Sequence, residues 1–186
     1  MENKHLIVDG VIAAQLPKAS DAFKTIIQDF SLIIEIGYHR GAFSRWLNQN
    51  KQKSAKLVCY DISDGAREVT DLDIDFRVGD CFNEDIITEI SELIKKSKKT
   101  LLLCDGGNKN SEFNLYAKYL KKGDVIMLHD YHDDTCEERY EDFSGSDWGS
   151  EAESYYSSIK STVDEISLKK YNYDLFRSVL WGAFNK

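Results

Sequence analysis

From residue 20 onward, apolar runs of strand length alternate with amphipathic stretches of helix length. This alternation is typical of successive βα units and predicts an α/β fold with a parallel sheet covered by helices. Most of the apolar runs lack a polar face, as expected for parallel strands that are buried on both sides. The predicted strands span residues 32–36, 56–61, 74–78, 100–105 and 124–129.

Three stretches between and after these strands carry apolar residues on one helical face, at residues 86–94, 113–120 and 152–163. Asn83 is the predicted N-cap of the first helix, and Gly123 is predicted to end the second. Residues 168–186 differ, because they contain two strand-like runs with too little sequence between them for a helical crossover. These runs predict a C-terminal antiparallel hairpin at the sheet edge. Trp181 and Phe184 are then expected in the core.

The chain has 186 residues, and this length predicts a single domain over residues 1–186. Residues 1–30 are expected to form an N-terminal arm and helix, and residues 130–150 an acidic loop that is a candidate lid. The net charge of −8 opposes nucleic-acid binding. There is no apolar run of membrane-spanning length, and the four cysteines form no CxxC pair. We therefore expect a small-molecule partner in a reducing cytoplasm, without nucleic acid or membrane; homo-oligomerisation is left open.

The stretch LIIEIGYHRGAFS, residues 32–44, predicts a buried strand that turns through glycine into a helix. Gly37 supplies backbone freedom for the turn, and Gly41 keeps the first helical turn clear of side chains. Glu35 ends the strand with a polar acceptor, and Ser44 follows in the helix. The turn indicates a ligand site at a helix N-terminus. An ordinary strand-turn-helix junction is the alternative.

Each predicted strand leads into a carboxylate within a few residues. Ligands of open parallel sheets bind outside the carboxyl ends of the strands, so five acids on one rim indicate a site. In chain order they are Glu35, Asp61, Asp80, Asp105 and Asp130. Asp61 follows the glycine turn by about 20 residues, the offset at which an acid binds ribose hydroxyls. It favours an adenosine-containing ligand, with a helix-capping aspartate as the alternative.

A second cluster, Asp105-Gly-Gly-Asn-Lys109, lies at another strand-to-helix turn. Asp105 is a candidate ligand for a metal, a substrate hydroxyl or the ammonium group of a cofactor. His129 and Asp130 end the neighbouring strand and could share one cation with Asp105, and such hard oxygen ligands suit magnesium. Alternatively, Asp130 caps a turn and His129 is a core residue. Lys109 and His132 are candidate general bases.

These motifs together resemble class I S-adenosylmethionine-dependent methyltransferases. The resemblance rests on the ExGxxxG turn at residues 35–41, Asp61, the Gly79-Asp80 pair and the closing strand hairpin. More narrowly, the chain is similar to the cephalosporin hydroxylase-like and macrocin O-methyltransferase-like branch. The motifs of that branch are AAQLP at 13–17, EIGYHRGAFS at 35–44, DGGN at 105–108 and HDY at 129–131.

The resemblance implies a Rossmann-like, mostly parallel, seven-stranded sheet. It implies S-adenosylmethionine as cofactor, with Glu35 and Gly37 near its methionine part, Asp61 on its ribose and Asp80 near its adenine. It also implies Mg²⁺ or another divalent cation on Asp105 and Asp130, which would orient and acidify a substrate hydroxyl. We therefore expect O-methylation of a small hydroxylated molecule. The alternatives are a non-catalytic cofactor-binding or assembly module and an NAD-dependent oxidoreductase.

The chain departs from the family pattern at three places. Tyr38 and His39 stand where the commoner GxGxG turn has its middle glycine. Asn108 stands at the place of the catalytic lysine in catechol-type enzymes, with Lys109 one residue further on. His129 occupies a position where relatives often have a carboxylate.

Overall fold

The computed structural model describes residues 4–71, 73–135 and 153–186. Its strands, in chain order, are β1 (Ile7–Val8), β2 (Val11–Ile12), β3 (Leu32–Ile36), β4 (Lys56–Asp61), β5 (Asp75–Val78), β6 (Thr100–Cys104), β7 (Val125–His129), β8 (Tyr131–His132), β9 (Ser154–Tyr155), β10 (Lys169–Lys170) and β11 (Trp181–Asn185). The α-helices are α1 (Ala19–Lys24), α2 (Ala42–Asn50), α3 (Glu84–Lys96), α4 (Lys109–Tyr116), α5 (Tyr156–Glu165) and α6 (Tyr173–Arg177). Two 3₁₀ turns span Ile27–Asp29 and Ala117–Tyr119.

Seven strands form the central sheet, in the order β10-β11-β7-β6-β3-β4-β5. Strands β3 to β7 pair in parallel, and β11 pairs antiparallel with both β7 and β10. This arrangement confirms the predicted α/β methyltransferase-like sheet. The chain order reverses between β3 and β6, because β4 and β5 extend the sheet on one side of β3 and β6 begins the other. A crevice forms at such a switch point, outside the carboxyl ends of the two strands.

The five predicted parallel strands agree with β3 to β7 to within one residue at each end. The predicted C-terminal hairpin is confirmed in its antiparallel pairing but wrong in its connection. The short helix α6 lies between β10 and β11, and β10 has only two residues. The helix forms here because Phe176 and Val179 bury their side chains in the core, which a tight turn could not achieve.

Apolar side chains pack on both faces of the sheet and form two clusters. Alternation along β11 sends Trp181 to one cluster and Phe184 to the other, and both are fully buried as predicted. Phe23 of α1 lies edge-on to the rings of Phe43, Phe176 and Trp181 at centroid distances of 5.2–5.3 Å. This aromatic contact fixes the N-terminal segment against the first face.

The N-terminal arm contains a hairpin that the sequence analysis did not identify. Strands β1 and β2 pair antiparallel around Asp9 and Gly10, which have φ of 49° and 85°. An Asp-Gly pair between apolar residues is a strong hairpin signal, so the sequence did contain this information. The amide of Leu6 donates to the carbonyl of Gln15, at 2.9 Å, and closes the hairpin over the following residues.

The predicted helices are confirmed with shifted ends. Asn83 is the N-cap of α3, with its side chain accepting from the Asp85 amide at 2.9 Å. The second helix was expected to run to Gly123, but α4 ends at Tyr116 and continues as a 3₁₀ turn. Tyr155 lies on β9, not on α5. Most of the candidate lid, residues 136–150, lies outside the described residues. Within the described ranges, the helices are too short or too polar to cross a membrane.

Candidate functional site

The glycine turn lies at the switch point of the sheet. The Gly37 amide donates to the Tyr60 carbonyl on β4, at 2.8 Å, and Gly37 has φ of 98°. A Cβ on Gly37 would stand 2.2 Å from the Asp105 carbonyl oxygen and 2.7 Å from the Gly106 nitrogen. Glycine is therefore required at position 37 for two reasons: the backbone is left-handed there, and the chain after β6 passes directly against it.

Gly41 has a different role from the one expected. It is the N-cap of α2 with φ of 83°, and a Cβ there would lie 2.3 Å from the Tyr38 ring. Tyr38 is buried beneath the turn and donates its hydroxyl to the Val69 carbonyl at 2.8 Å. The missing side chain at Gly41 thus makes room for a tyrosine of the protein itself. Tyr38 therefore supports the glycine turn from below.

Two of the rim carboxylates hold backbone turns. Asp61 accepts from the His39 amide at 2.8 Å, which ties the glycine turn to the end of β4. Asp80 accepts from the Phe82 amide at 2.9 Å, just before α3. Neither Asp61 nor Asp80 caps the first turn of a helix. The alternative reading of Asp61 as a helix-capping aspartate is therefore replaced by a related role, in which Asp61 caps the glycine turn.

Glu35 lies at the floor of this region and is buried. One of its oxygens, Oε2, accepts from the Ser44 hydroxyl and from the Cys59 thiol. Burial raises the pKa of Glu35, and the hydrogen bond from Ser44 lowers it by less, so that the pKa is about 8. Glu35 is therefore mostly neutral at pH 7. Ser44 is itself fully buried and positions Glu35.

A small pocket, open to solvent, lies at Glu35. Its walls come from three parts of the chain: the N-terminal segment 12–15, the glycine turn with the start of α2, and Asp105. The structure thus brings Glu35, Gly37, Gly41 and Asp105 together around one pocket, and their binding of a cofactor stays a prediction.

Asp105, His129 and Asp130 form the second cluster, in which one ligand-type atom from each residue lies within 4.8 Å of the others. His129 Nδ1 lies 2.9 Å from Asp105 Oδ1 and 3.5 Å from Asp130 Oδ2. Burial lowers the pKa of His129, but the negative charges of Asp105 and Asp130 outweigh it and the net shift is upward. Asp130 has φ of 51°, a conformation that turns the chain sharply after β7.

Lys109 lies at the start of α4, with its side chain almost fully buried. Its Nζ is 3.2 Å from Asp130 Oδ2 and also pairs with Glu153. Burial lowers the pKa of Lys109, but Asp105, Glu153 and Asp130 raise it by more, so the ammonium form is favoured. Lys109 can accept a proton only when these partners are displaced or neutralised. The other candidate base, His132, lies on β8 with its ring edge-on to Tyr155 at 6.2 Å.

Three residues of the site were not assigned to it from the sequence. Gln15 links the N-terminal segment to Asp105, and Trp181 donates to Gln15. Glu112 folds back from α4 and accepts from the Gly106 and Asn108 amides, each at 3.2 Å. Burial raises the pKa of Glu112 to about 7. The AAQLP motif contained Gln15, whereas nothing local marks Trp181 or Glu112 as polar partners of the site.

The fold and the switch-point pocket define an α/β protein of the methyltransferase-like class. The sequence profile of the family described as FtsJ-like methyltransferase matches residues 13–128, more than half of the chain. The chain belongs to the FtsJ-like methyltransferase family. The predicted membership among class I methyltransferases is thereby confirmed. A comparison with curated protein sequences gives no significant match.

Three solved structures illustrate the likeness in fold. A CmcI structure described as Mg-SAM aligns with a TM-score of 0.52 and 15% identity, over 66% of this chain and 56% of that one. MycE methyltransferase from the mycinamycin biosynthetic pathway, with Mg and SAH, gives 0.53 and 16%, over 91% and 45%. Human N-acetylserotonin methyltransferase with SAM gives 0.52 and 14%, over 90% and 50%. The chain spans about half the length of each, and the likeness is one of fold.

Replacing Gly37 by alanine should destabilise the protein more than the same change at Gly123. Both glycines have positive φ, 98° and 92°, but a Cβ on Gly123 would meet nothing within 4 Å. Gly123→Ala should therefore cost only the left-handed backbone term of about 1–2 kcal/mol. Gly37→Ala should cost roughly 2 kcal/mol more, because the backbone at Asp105 must move. Urea unfolding of both variants measures the difference, and equal losses would contradict the close approach.

Glu35 should make stability fall with rising pH. Its folded pKa of about 8 exceeds its ordinary value of 4.5, so the folded state binds this proton more tightly than the unfolded chain. The resulting stabilisation is complete below about pH 4.5 and is lost as the pH rises through about 8.

The comparison that isolates this effect is between wild type and Glu35→Gln, which cannot titrate. The groups facing Glu35 are Ser44 on α2, Cys59 on β4, and the charges of Asp61 and Asp105, and all are retained in the variant. We expect the free energy of unfolding of Glu35→Gln to rise relative to wild type between about pH 5 and about pH 8. Parallel pH profiles from urea unfolding would contradict a neutral buried Glu35.

Proposed function

We propose that this chain transfers a methyl group from S-adenosylmethionine to a hydroxyl of a small molecule, with the help of a divalent cation. The observation that carries the proposal is that Asp105 belongs to both parts of the site. It lines the switch-point pocket and also lies 2.9 Å from His129 in the carboxylate-imidazole cluster. A cofactor in the pocket and a hydroxyl at the cluster would therefore lie side by side.

The pocket suits the cofactor in its chemistry. Bare backbone at Gly37 and the N-terminus of α2 accommodate the polar methionine end. Glu35 and Asp105 provide carboxyl groups near a cofactor that carries a sulfonium and an ammonium. Asp61 accepts from the His39 amide on one oxygen and from the Ser63 amide, at 3.3 Å, on the other, and each oxygen has a second lone pair for ribose hydroxyls. Ser44 contributes through Glu35.

The adenine end would lie beyond Asp61, where the sheet exposes apolar side chains. Ile62 is 72% exposed and Phe82 41% exposed, one after β4 and the other after β5. Exposed apolar groups of this kind are favourable neighbours for a planar base, because contact with them removes apolar surface of the base from water. Asp80, which precedes Phe82 closely, is the proposed acid on this side.

The donor set fits a divalent cation. An octahedral magnesium ion holds ligands at about 2.1 Å, which puts neighbouring ligand atoms about 3 Å apart. The separations of 2.9 Å and 3.5 Å from His129 Nδ1 to Asp105 and Asp130 are close to that spacing. Two carboxylates provide the hard oxygens that magnesium prefers, and His129 would be a third ligand or a donor to Asp105. CmcI and MycE, whose structures carry Mg, share this fold.

The residues of the chain would act mainly by positioning. Asp105 and Asp130 would hold the acceptor hydroxyl through the cation, in line with the methyl group of the cofactor. A bound cation lowers the pKa of a coordinated hydroxyl. Lys109, paired with Asp130, would compensate negative charge at the cluster and, once released from its partners, is a candidate to accept the hydroxyl proton. His132 is the second candidate.

The acceptor is proposed to be a small hydroxylated molecule, because the net charge of −8 disfavours polyanions. The N-terminal segment 12–15 lies between the pocket and the cluster, since it lines the pocket and its Gln15 contacts Asp105. It is therefore proposed to contribute to acceptor selection.

S-adenosylhomocysteine should bind the wild-type protein, and Asp61→Asn should weaken that binding by about tenfold or more. The asparagine oxygen can still accept from His39, so the turn should persist while the charged acceptor for a ribose diol is lost. Asp64→Asn, an exposed aspartate in the same loop, is the matched control and should bind normally. Isothermal titration gives the affinities, and a parallel titration with NADH tests the oxidoreductase alternative. Absence of binding of S-adenosylmethionine and S-adenosylhomocysteine to wild type would overturn the proposal.

Asp105→Ala should abolish the magnesium-dependent methyl transfer and weaken cation binding by at least about tenfold. The reason is that the substitution removes a ligand central to the cluster. The measurements are methyl transfer to a panel of small hydroxylated acceptors and a titration with Mn²⁺, with Asp64→Asn again as control. Full magnesium-dependent activity in Asp105→Ala would show that the cation lies elsewhere.

A further inference from the structure

A buried glutamine connects the N-terminal segment to the cluster. Gln15 is only 2% exposed. Its Nε2 donates to Asp105 Oδ2 at 2.8 Å, and its Oε1 accepts from Trp181 Nε1 at 2.8 Å. Residues 15, 105 and 181 are far apart in the sequence, so the fold brings together three side chains that no local pattern relates.

The orientation of this amide is determined by chemistry. The indole N–H of Trp181 can only donate, so it must face the amide oxygen of Gln15. The amide nitrogen of Gln15 therefore faces Asp105 and requires an acceptor there. A carboxyl oxygen of Asp105 meets that requirement, so Trp181 acts on Asp105 through Gln15 without a hydrogen bond to its carboxyl oxygens.

Both oxygens of Asp105 are engaged by this frame. Oδ2 accepts from Gln15, and Oδ1 lies 2.9 Å from His129 Nδ1. The His129 ring in turn stacks on the Trp181 ring, with centroids 4.8 Å apart. The four side chains thus form a closed ring of contacts in which the Asp105 carboxyl group cannot rotate without breaking a partly buried hydrogen bond. The remaining lone pairs of the carboxylate are the ones available to a cation.

We propose that Gln15 is a positioning residue that fixes the Asp105 carboxylate for cation binding, with Trp181 acting through Gln15. The inference rests on the proposed function, since it assumes that Asp105 is a cation ligand. Hydrogen-bonding partners of metal ligands typically change metal affinity by about 10–100-fold when removed. A glutamine that served only to satisfy the Trp181 indole would leave cation affinity unchanged.

The test is a double-mutant cycle with Mn²⁺ as the probe, its dissociation constant being measured by electron paramagnetic resonance. Gln15→Met keeps the length of the side chain and removes both hydrogen bonds, and Trp181→Phe keeps an aromatic ring over His129 and removes the N–H. The matched controls are Gln49→Met, whose amide contacts Asp9 at the surface, and Trp46→Phe, from the same aromatic cluster. Urea unfolding establishes that each variant is folded.

We expect Gln15→Met to weaken Mn²⁺ binding by about tenfold and Trp181→Phe by a smaller factor, with both controls within about twofold of wild type. In the Gln15→Met background, Trp181→Phe should have almost no further effect, because its route to Asp105 is already lost. Additive effects would overturn the role assigned to Trp181, and wild-type affinity in Gln15→Met would overturn the whole inference.

Two further outcomes are decisive. If Gln15→Met does not fold, Trp181→Phe must still weaken Mn²⁺ binding more than Trp46→Phe, and equal affinities of these two variants overturn the inference. If wild type itself does not bind Mn²⁺, the cation in the proposed function fails together with this inference. Unchanged affinity in the variants, by contrast, leaves the proposed function intact.

Discussion

The site depends on one close approach between backbones. The chain leaving β3 at Gly37 and the chain leaving β6 at Asp105 touch at the switch point of the sheet, leaving no space for a Cβ. Parallel pairing of β3 with β6 sets this contact, and the Asp105 amide extends it by donating to the Ile36 carbonyl at 2.9 Å. This close approach sets the position of Asp105, and with it one wall of the pocket and the start of the second cluster.

Structural features that depend on residues close together in the sequence could be predicted here, whereas features that depend on residues far apart could not. The bounds of β3 and β4 follow from local apolar runs, and the residues around the pocket follow from the rule that parallel strands end on one rim. The contacts of Gln15 with Asp105 and Trp181 span 90 and 166 residues, and no periodicity reports them. Helix α6 was missed because tertiary burial of Phe176, not a long helical pattern, determines it.

The carboxyl groups on the rim differ in their surroundings. Glu35 has few polar partners and is buried, so its neutral form is favoured up to about pH 8. Asp105 has an amide donor on one oxygen and an imidazole nitrogen near the other, and Asp130 has the Lys109 ammonium. A sequence displays these three acids alike. Only the fold shows which donors each one meets: hydroxyl and thiol groups at buried Glu35, an amide and an imidazole at Asp105, and an ammonium at Asp130.

The shared position of Asp105 has a thermodynamic consequence under the proposed function. Any cofactor that changes the field or the orientation at Asp105 must change its affinity for a cation, and the cation must change cofactor affinity by the same factor. The ring through Gln15 limits how far Asp105 can rotate, so this coupling would act mainly through charge and not through movement. Tyr38 also limits movement at the pocket. As a buried tyrosine beneath Gly41, it gives the glycine turn a packed support instead of a flexible run of glycines. The glycine turn and Asp105, two of the three parts that line the pocket, are therefore held before a ligand arrives, which lowers the ordering cost of binding.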